Sequence, residues 1–190
     1  MDNHLSTQRL TIELMTLDDA DLLFDLDQDP QVMKYINGGK TTSKADIQDI
    51  YIPRLARYLT PAKGWGLWKV FNKCEPSNGK QDFLGWILIR PMGFFSEAPN
   101  YNNLEIGWRF KKSSWGKGIA TESAQAVMQH LLATEQNIKH FSAIADEQNL
   151  ASINIMKKLG MDYIEKRLHP DVEGDVEVVL YSLKTKKPTK

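Results

Sequence analysis

The sequence predicts an α/β (α+β) domain in which a mixed central sheet of about seven strands is flanked by about four helices. Short runs that alternate apolar and polar residues indicate strands, and longer runs with an apolar residue at every third or fourth position indicate helices. Separators rich in glycine, proline and asparagine divide these runs. In chain order they give β-α-α-β-β-β-α-β-α-β-β, which we expect to form a single domain over residues 1–190.

The first part of the chain predicts one strand and two helices. Residues 8–15 alternate leucine and isoleucine with polar neighbours, as a half-buried strand does. A helix with a leucine-rich face follows, and Asp29-Pro30 is expected to end it. A second helix is predicted over 43–60, where Pro53 is expected to kink or split it.

The middle of the chain predicts three more strands. They cover residues 64–71, 83–90 and 103–110. The segment 91–102 contains Phe94, Phe95 and Tyr101, which indicates either an ordinary packed loop or a lid that faces a substrate. Trp65, Trp68 and Trp86 are interpreted as core residues or, alternatively, as part of an acceptor pocket.

The last part of the chain returns to a helical period. From residue 119 the apolar positions are spaced as on one face of a helix, and residues 139–145 then read as a strand. A short helix is predicted from Asn149 to Leu159, with Gly160 just beyond its end. Two strands, 161–168 and 176–183, complete the sheet, and the basic tail 184–190 is expected to fray.

Three predicted helices begin after a residue whose side chain can accept a hydrogen bond from the first turn. These predicted N-caps are Thr16, Ser43 and Asn149.

Composition excludes several classes of function. The 24 Lys and Arg residues balance the 24 Asp and Glu residues, so no basic excess attracts nucleic acid or an anionic membrane. The single cysteine, Cys74, cannot form an internal disulfide, and the four histidines are scattered without metal-ligand spacing. No stretch approaches the roughly 18 apolar residues that span a bilayer. We therefore expect a soluble cytoplasmic protein, monomer or homodimer, without a metal and without nucleic-acid or membrane partners.

The stretch "SSWGKGIATESAQAV", residues 113–127, predicts an anion site. Gly116 and Gly118 stand where a strand and short loop give way to a helix, and the first N–H groups of a helix can bind phosphate oxygens. The two familiar phosphate motifs do not fit. A P-loop requires glycine where Lys111 stands, and the dinucleotide fingerprint requires glycine where Thr121 stands.

The same stretch resembles the acetyl-CoA loop of the GNAT superfamily of N-acetyltransferases, whose pattern is Gln/Arg-x-x-Gly-x-Gly/Ala. Trp115 stands at the first position, which departs from the pattern, Gly118 at the required glycine and Ala120 at the final small residue. A tryptophan is usual at the first position in the RimJ/RimL-like branch, the ribosomal-protein N-terminal acetyltransferases. "LEIGWRF" and "DEQNLASINIMKKLGM" are similar to two further segments of that branch, in the same order.

This resemblance implies the GNAT fold, in which the fourth and fifth strands splay apart and hold acetyl-CoA between them. It also implies a set of cofactor-binding positions along the splayed strand, the glycine loop and the helix after Asn149. They are Trp108, Arg109 and Phe110, which would pair with the pantetheine arm; Trp115, Gly116, Lys117, Gly118, Ile119 and Ala120, which would hold the diphosphate; and Asn149, Ser152 and Met156.

Glu105 is the predicted catalytic base. Strand alternation places it opposite the apolar face of its strand, near the splay, where a carboxylate can take an amine proton through a water. The alternative is a structural glutamate paired with Arg109 or with solvent. Many family members carry a tyrosine acid at the position of Met156, which cannot donate a proton, and Tyr181, Tyr163 and Ser114 are the candidate substitutes.

The resemblance implies acetyl transfer from acetyl-CoA to a primary amine, foremost a protein or peptide N-terminal α-amine. Two alternatives stay open: acetylation of a small-molecule amine such as an aminoglycoside or polyamine, and a non-catalytic sensor that only binds acyl-CoA. A pocket rich in Asp and Glu would favour cationic small molecules.

Overall fold

The computed structural model describes residues 2–73, 81–171 and 174–185, and its centre is an eight-stranded sheet of order β1-β2-β3-β4-β5-β6-β8-β7. Neighbouring strands are antiparallel, except that β5 and β6 are parallel. The strands are β1 His4–Ser6, β2 Leu10–Leu14, β3 Gly66–Asn72, β4 Phe83–Met92, β5 Asn100–Phe110, β6 His140–Ala145, β7 Asp162–Asp171 and β8 Gly174–Lys184. The predicted strands are all present. The short β1 was not predicted, so the fourth and fifth predicted strands are β5 and β6.

Within the described ranges, five helices flank the sheet. They are α1 Ala20–Leu26, α2 Pro30–Asn37, α3, which runs continuously through Lys44–Asp46, Ile47–Tyr51 and Ile52–Tyr58, α4 Ile119–Thr134 and α5 Leu150–Lys158. Single 3₁₀ turns lie at Leu17–Asp19, Pro61–Lys63 and Lys112–Ser114. Among the described helices none is long and apolar enough to cross a membrane.

The helix α2 corrects the prediction that Asp29-Pro30 simply ends a helix. The side chain of Asp29 accepts a hydrogen bond from the Gln31 N–H, and Pro30 occupies the first turn of α2. Proline lacks an N–H, and at that position of a helix none is needed. α1 already ends at Leu26, with Asp27 as its C-cap, and the pair starts α2, which ends at Gly38 in a left-handed conformation, φ +75°.

Pro53 neither splits nor sharply interrupts α3. The helix widens into a π-helical stretch at Ile47–Tyr51, where the Ile52 N–H bonds to the Ile47 carbonyl five residues back. A proline cannot donate to the residue four positions before it, and the wider turn accommodates that missing bond.

Two cores lie on opposite faces of the sheet. One joins the sheet to α4 and α5, through buried residues such as Ala124, Val127 and Ile153. The other joins it to α1 and α3, through Leu26 and Leu55 among others. The segment after β4 packs against this second core, with Phe94 and Phe95 edge-on to Tyr58. The loop after β4 is thus packed rather than free.

The sheet opens between its two parallel strands. β5 and β6 pair only at Asn103–His140, Leu104–Phe141 and Glu105–Ser142. Beyond Glu105, β5 continues on β4 alone, and beyond Ser142, β6 continues on β8 alone. The splay expected from the sequence is therefore present, and it leaves a wedge between Ile106–Phe110 and the end of β6.

Candidate functional site

A cavity of about 850 Å³ fills the wedge and passes through the sheet. On one side its walls are α4, α5 and the glycine loop, and on the other side α2 and β4. The cavity therefore has two ends, one against each face of the sheet, which meet where β5 and β6 part.

The first end is the N-terminus of α4. Its N-cap is Gly118, which offers no side-chain oxygen, so the first N–H groups of the helix lack the cap that a Ser, Thr or Asn at this position would supply. Gly118 has φ +75° and Gly116 φ +72°, a left-handed conformation that favours glycine. Gly116, Gly118, Ile119 and Ala120 all line the cavity, while Lys117 is exposed.

Trp115 fixes the start of this loop. The residue is 47% exposed, but its Nε1–H donates to the carbonyl of Phe110, 2.9 Å away, at the end of β5. This hydrogen bond holds the start of the loop against the end of β5.

The opposite wall of this end is α5. Asn149 caps the helix as predicted, since its side chain accepts a hydrogen bond from the Ser152 N–H at 3.1 Å. Across the wedge, Trp108 Nε1–H donates to Ser152 Oγ at 3.2 Å. The two residues therefore connect β5 with α5 where the strands no longer pair.

Met156 lies differently from what the sequence predicts. It is 1% exposed and belongs to the core between the sheet and α5, whereas Ile155 lines the cavity. One helical turn beyond Ser152 spans both positions, and sequence spacing alone does not choose between them. Among the alternative proton donors, Tyr181 is buried in the same core and Tyr163 is exposed on β7. Ser114 is 4% exposed in the 3₁₀ turn before the loop and lines the cavity.

The second end of the cavity contains a buried ion pair. Arg109 Nη1 donates to Asp27 Oδ1 at 2.6 Å, and Thr42 Oγ1 donates to Asp27 Oδ2 at 2.9 Å. The Arg109 guanidinium also lies 5.1 Å from the centre of the Trp86 ring. The side chain of Arg109 therefore faces α1. The backbone of β5 lies at the wedge.

Asp27 is a residue that sequence reasoning missed. It is 2% exposed at the end of α1, and it pairs with Arg109, the single cationic residue of β5. A carboxylate next to the apolar stripe of a helix was the available signal, because acids are rarely buried without a partner.

Glu105 is buried beside this end and is paired. Its two carboxylate oxygens accept from Arg90 Nε at 2.8 Å and from Arg90 Nη2 at 2.9 Å. Its partner is thus Arg90 on β4, directly opposite in register, and not Arg109 as the structural alternative supposed. Glu105 does not itself line the cavity, although its neighbour Ile106 does. Trp86 lines the cavity as one interpretation expected, whereas Trp65 and Trp68 are core residues.

The charges on the cavity walls are mostly positive. Among the described residues the charged ones that line it are Lys34, Arg109, Lys158 and Asp146. Asp146 lies beyond β6 at the α5 end, so the end formed by α2 and β4 carries Lys34 and the Asp27-paired Arg109.

Comparison with known proteins gives one family. The family model described as an acetyltransferase (GNAT) domain matches residues 9–162. The uncharacterized protein YkkB of Bacillus subtilis (strain 168) is 31% identical over 162 residues, which are 84% of this chain and 85% of YkkB.

Solved structures share the fold. RimL, a ribosomal L7/L12 α-N-protein acetyltransferase in complex with coenzyme A, has a TM-score of 0.68 at 16% identity, covering 94% of this chain and 95% of that one. Aminoglycoside acetyltransferase AAC(6')-Ib in complex with coenzyme A has a TM-score of 0.68 at 19% identity, covering 92% and 94%.

Proposed function

The chain belongs to the GNAT family of acetyltransferases, and we propose that it transfers the acetyl group of acetyl-CoA to the N-terminal α-amine of a protein or peptide. One observation carries this proposal. A single cavity joins the uncapped N-terminus of α4, on one face of the sheet, to a wall of α2 and β4 on the other.

The residues at the α4 end fit acetyl-CoA. The left-handed glycines Gly116 and Gly118 and the first-turn N–H groups at Ile119 and Ala120, which lack a side-chain cap at Gly118, form a surface that suits the oxygens of a diphosphate. A Cβ at Gly116 would meet nothing within 4 Å, so the backbone there is open to a ligand. When bound, acetyl-CoA supplies an acetyl group that is already activated as a thioester.

The unpaired part of β5 suits the arm of the cofactor. Beyond Glu105 the edge of β5 that faces the wedge has no partner strand, so the backbone of Trp108–Phe110 is available to an extended amide chain. Asn149 and Ser152 line the opposite wall. We propose that these residues hold the arm between β5 and α5.

Glu105 is the proposed base, acting through a water. Each of its oxygens accepts one hydrogen bond from Arg90, and a carboxylate oxygen has a second lone pair with which to accept a proton. No acid is assigned to the leaving thiolate. A thiol with an ordinary pKa of about 8.5 needs none, because the ammonium intermediate or water can protonate it.

The wall charges support a peptide over a polycation. An aminoglycoside or polyamine needs free carboxylates around its amines, whereas the described residues at the α2 and β4 end offer Lys34 and Arg109. Asp27, the carboxylate that pairs with Arg109, is already bonded both to it and to Thr42.

A panel of acceptors tests the proposal. We would measure transfer from acetyl-CoA to peptides with free N-termini, to kanamycin and to spermidine, and identify products by mass spectrometry. The proposal expects kcat/KM to be highest for a peptide, by about tenfold or more, and no transfer to peptides with blocked N-termini. Preferred acetylation of kanamycin or spermidine would contradict the peptide assignment, and cofactor binding without transfer to any acceptor would favour a sensor.

A further inference from the structure

Arg9 connects the first strands to the glycine loop. It precedes β2, and its guanidinium reaches the start of α4, more than a hundred residues later in the chain. Nε and Nη2 donate to Glu122 Oε2 at 2.8 and 2.6 Å, and Nη1 donates to the Lys117 carbonyl at 3.1 Å. One side chain therefore contacts both the loop and the first turn of the helix.

The bond to Lys117 orients the peptide that follows. In a planar trans peptide the carbonyl and the next N–H point in opposite directions. Because the Lys117 carbonyl points toward Arg9, the Gly118 N–H points away from Arg9. Gly118 lines the cavity, so this contact helps to present its N–H to a ligand there.

The bond to Glu122 concerns charge. Glu122 lies in the first turn of α4, where a carboxylate competes with a bound anion for the positive end of the helix. Burial raises the pKa of Glu122, but hydrogen bonds from Thr7 and Arg9 outweigh it, and the net pKa lies below the ordinary value. Glu122 is thus ionised at neutral pH, and Arg9 is the cation that balances it.

We propose that Arg9 is a positioning residue for the diphosphate of acetyl-CoA: it turns the Lys117–Gly118 peptide toward the cavity and neutralises Glu122. It acts through these two groups rather than by touching the cofactor. The inference rests on the proposed function, since it assumes that the diphosphate binds at the N-terminus of α4.

The test is binding of coenzyme A by isothermal titration calorimetry, with no acceptor present. Arg9→Gln should weaken binding by about tenfold, because it loses a hydrogen bond to the loop and leaves Glu122 unbalanced. Glu122→Gln should leave the affinity within about twofold, since it removes the anion and the need to balance it. The double variant should bind more tightly than Arg9→Gln alone. Lys166→Gln, which removes a distant surface ion pair with Glu147 and Glu177, is the matched control and should not change binding.

A purely structural role for Arg9 predicts another pattern. Arg9→Gln and Glu122→Gln would then weaken coenzyme A binding equally, each in proportion to its fall in melting temperature. The double variant would bind no more tightly than either single variant. That pattern, or an Arg9→Gln protein that binds coenzyme A as tightly as the unaltered chain, would overturn the inference and leave the proposed function intact. If the unaltered chain binds no coenzyme A, both are wrong.

Discussion

Replacing Glu105 with glutamine separates its two possible roles, a base for the reaction and one half of an ion pair. The pair is buried, with 5% of the Glu105 side chain and 12% of the Arg90 side chain exposed, and it has two hydrogen bonds. Glutamine keeps the shape but removes the carboxylate charge that faces Arg90 inside the protein. Breaking such a pair from one side costs about 3 kcal/mol or more. For a chain of this size we expect a fall in melting temperature of about 6–12 °C.

The catalytic expectation is separate. If Glu105 takes the amine proton through a water, Glu105→Gln should lower kcat by about 100-fold at neutral pH, equivalent to about 2.7 kcal/mol of barrier. The affinity for acetyl-CoA should change little, because Glu105 is not among the residues proposed to hold the cofactor, which lie at the start of α4, on the free edge of β5 and on α5. We would measure kcat with saturating peptide and acetyl-CoA, well below the melting temperature of the variant.

Leu55→Ala is the control for lost stability. Leu55 is 1% exposed in the core between the sheet and α3, and its truncation should cost about 2–5 kcal/mol without changing any charge. Its kcat should match that of the unaltered chain. If Glu105→Gln unfolds as easily as Leu55→Ala and also keeps its kcat, Glu105 is only a structural partner of Arg90 and the proposed base is wrong.

Three further predictions concern backbone and burial. Gly118→Val should weaken coenzyme A binding, measured by calorimetry, by about tenfold or more, because valine at φ +75° strains the loop. Gly38→Val, at a glycine with the same φ, is the control. Equal losses of binding in the two variants would refute the prediction. Gly85→Ala should destabilise the chain by about 3 kcal/mol in urea unfolding, since its Cβ would overlap the backbone of β5, and an unchanged midpoint would refute this. Burial, the largest cause, raises the pKa of Tyr58 to about 12, so the folded state favours the neutral phenol. The free energy of unfolding should therefore fall between about pH 10 and 12. Tyr58→Phe should remove the contribution of this residue to that fall in urea unfolding.

Local features of the chain were the ones that sequence could predict. The caps Thr16, Ser43 and Asn149 each accept the expected backbone hydrogen bond. The glycine loop and its helix also lie where the spacing placed them, because such features depend on a few neighbouring residues.

Features that depend on tertiary placement were not predictable. Arg90 pairs with Glu105 only because the register of β4 and β5 places them opposite each other. Asp27 and Arg109 meet across 82 positions of sequence, and Arg9 and Glu122 across 113. The burial of Met156 likewise follows from how α5 packs on the sheet. Both Ile155 and Met156 lie one turn beyond Ser152, so the sequence spacing alone does not say which of them faces the cavity.

The narrow junction between β5 and β6 has a consequence for hydrogen exchange. Strands β6, β8 and β7 pair with the rest of the sheet at three positions only, a shorter junction than those between the strands from β2 to β5, so we expect this half to open as a unit at a lower free energy than global unfolding. A ligand that contacts both β5 and α5 binds only the closed form and raises that opening free energy by mass action. Coenzyme A should therefore slow amide exchange in β8, a strand that does not line the cavity.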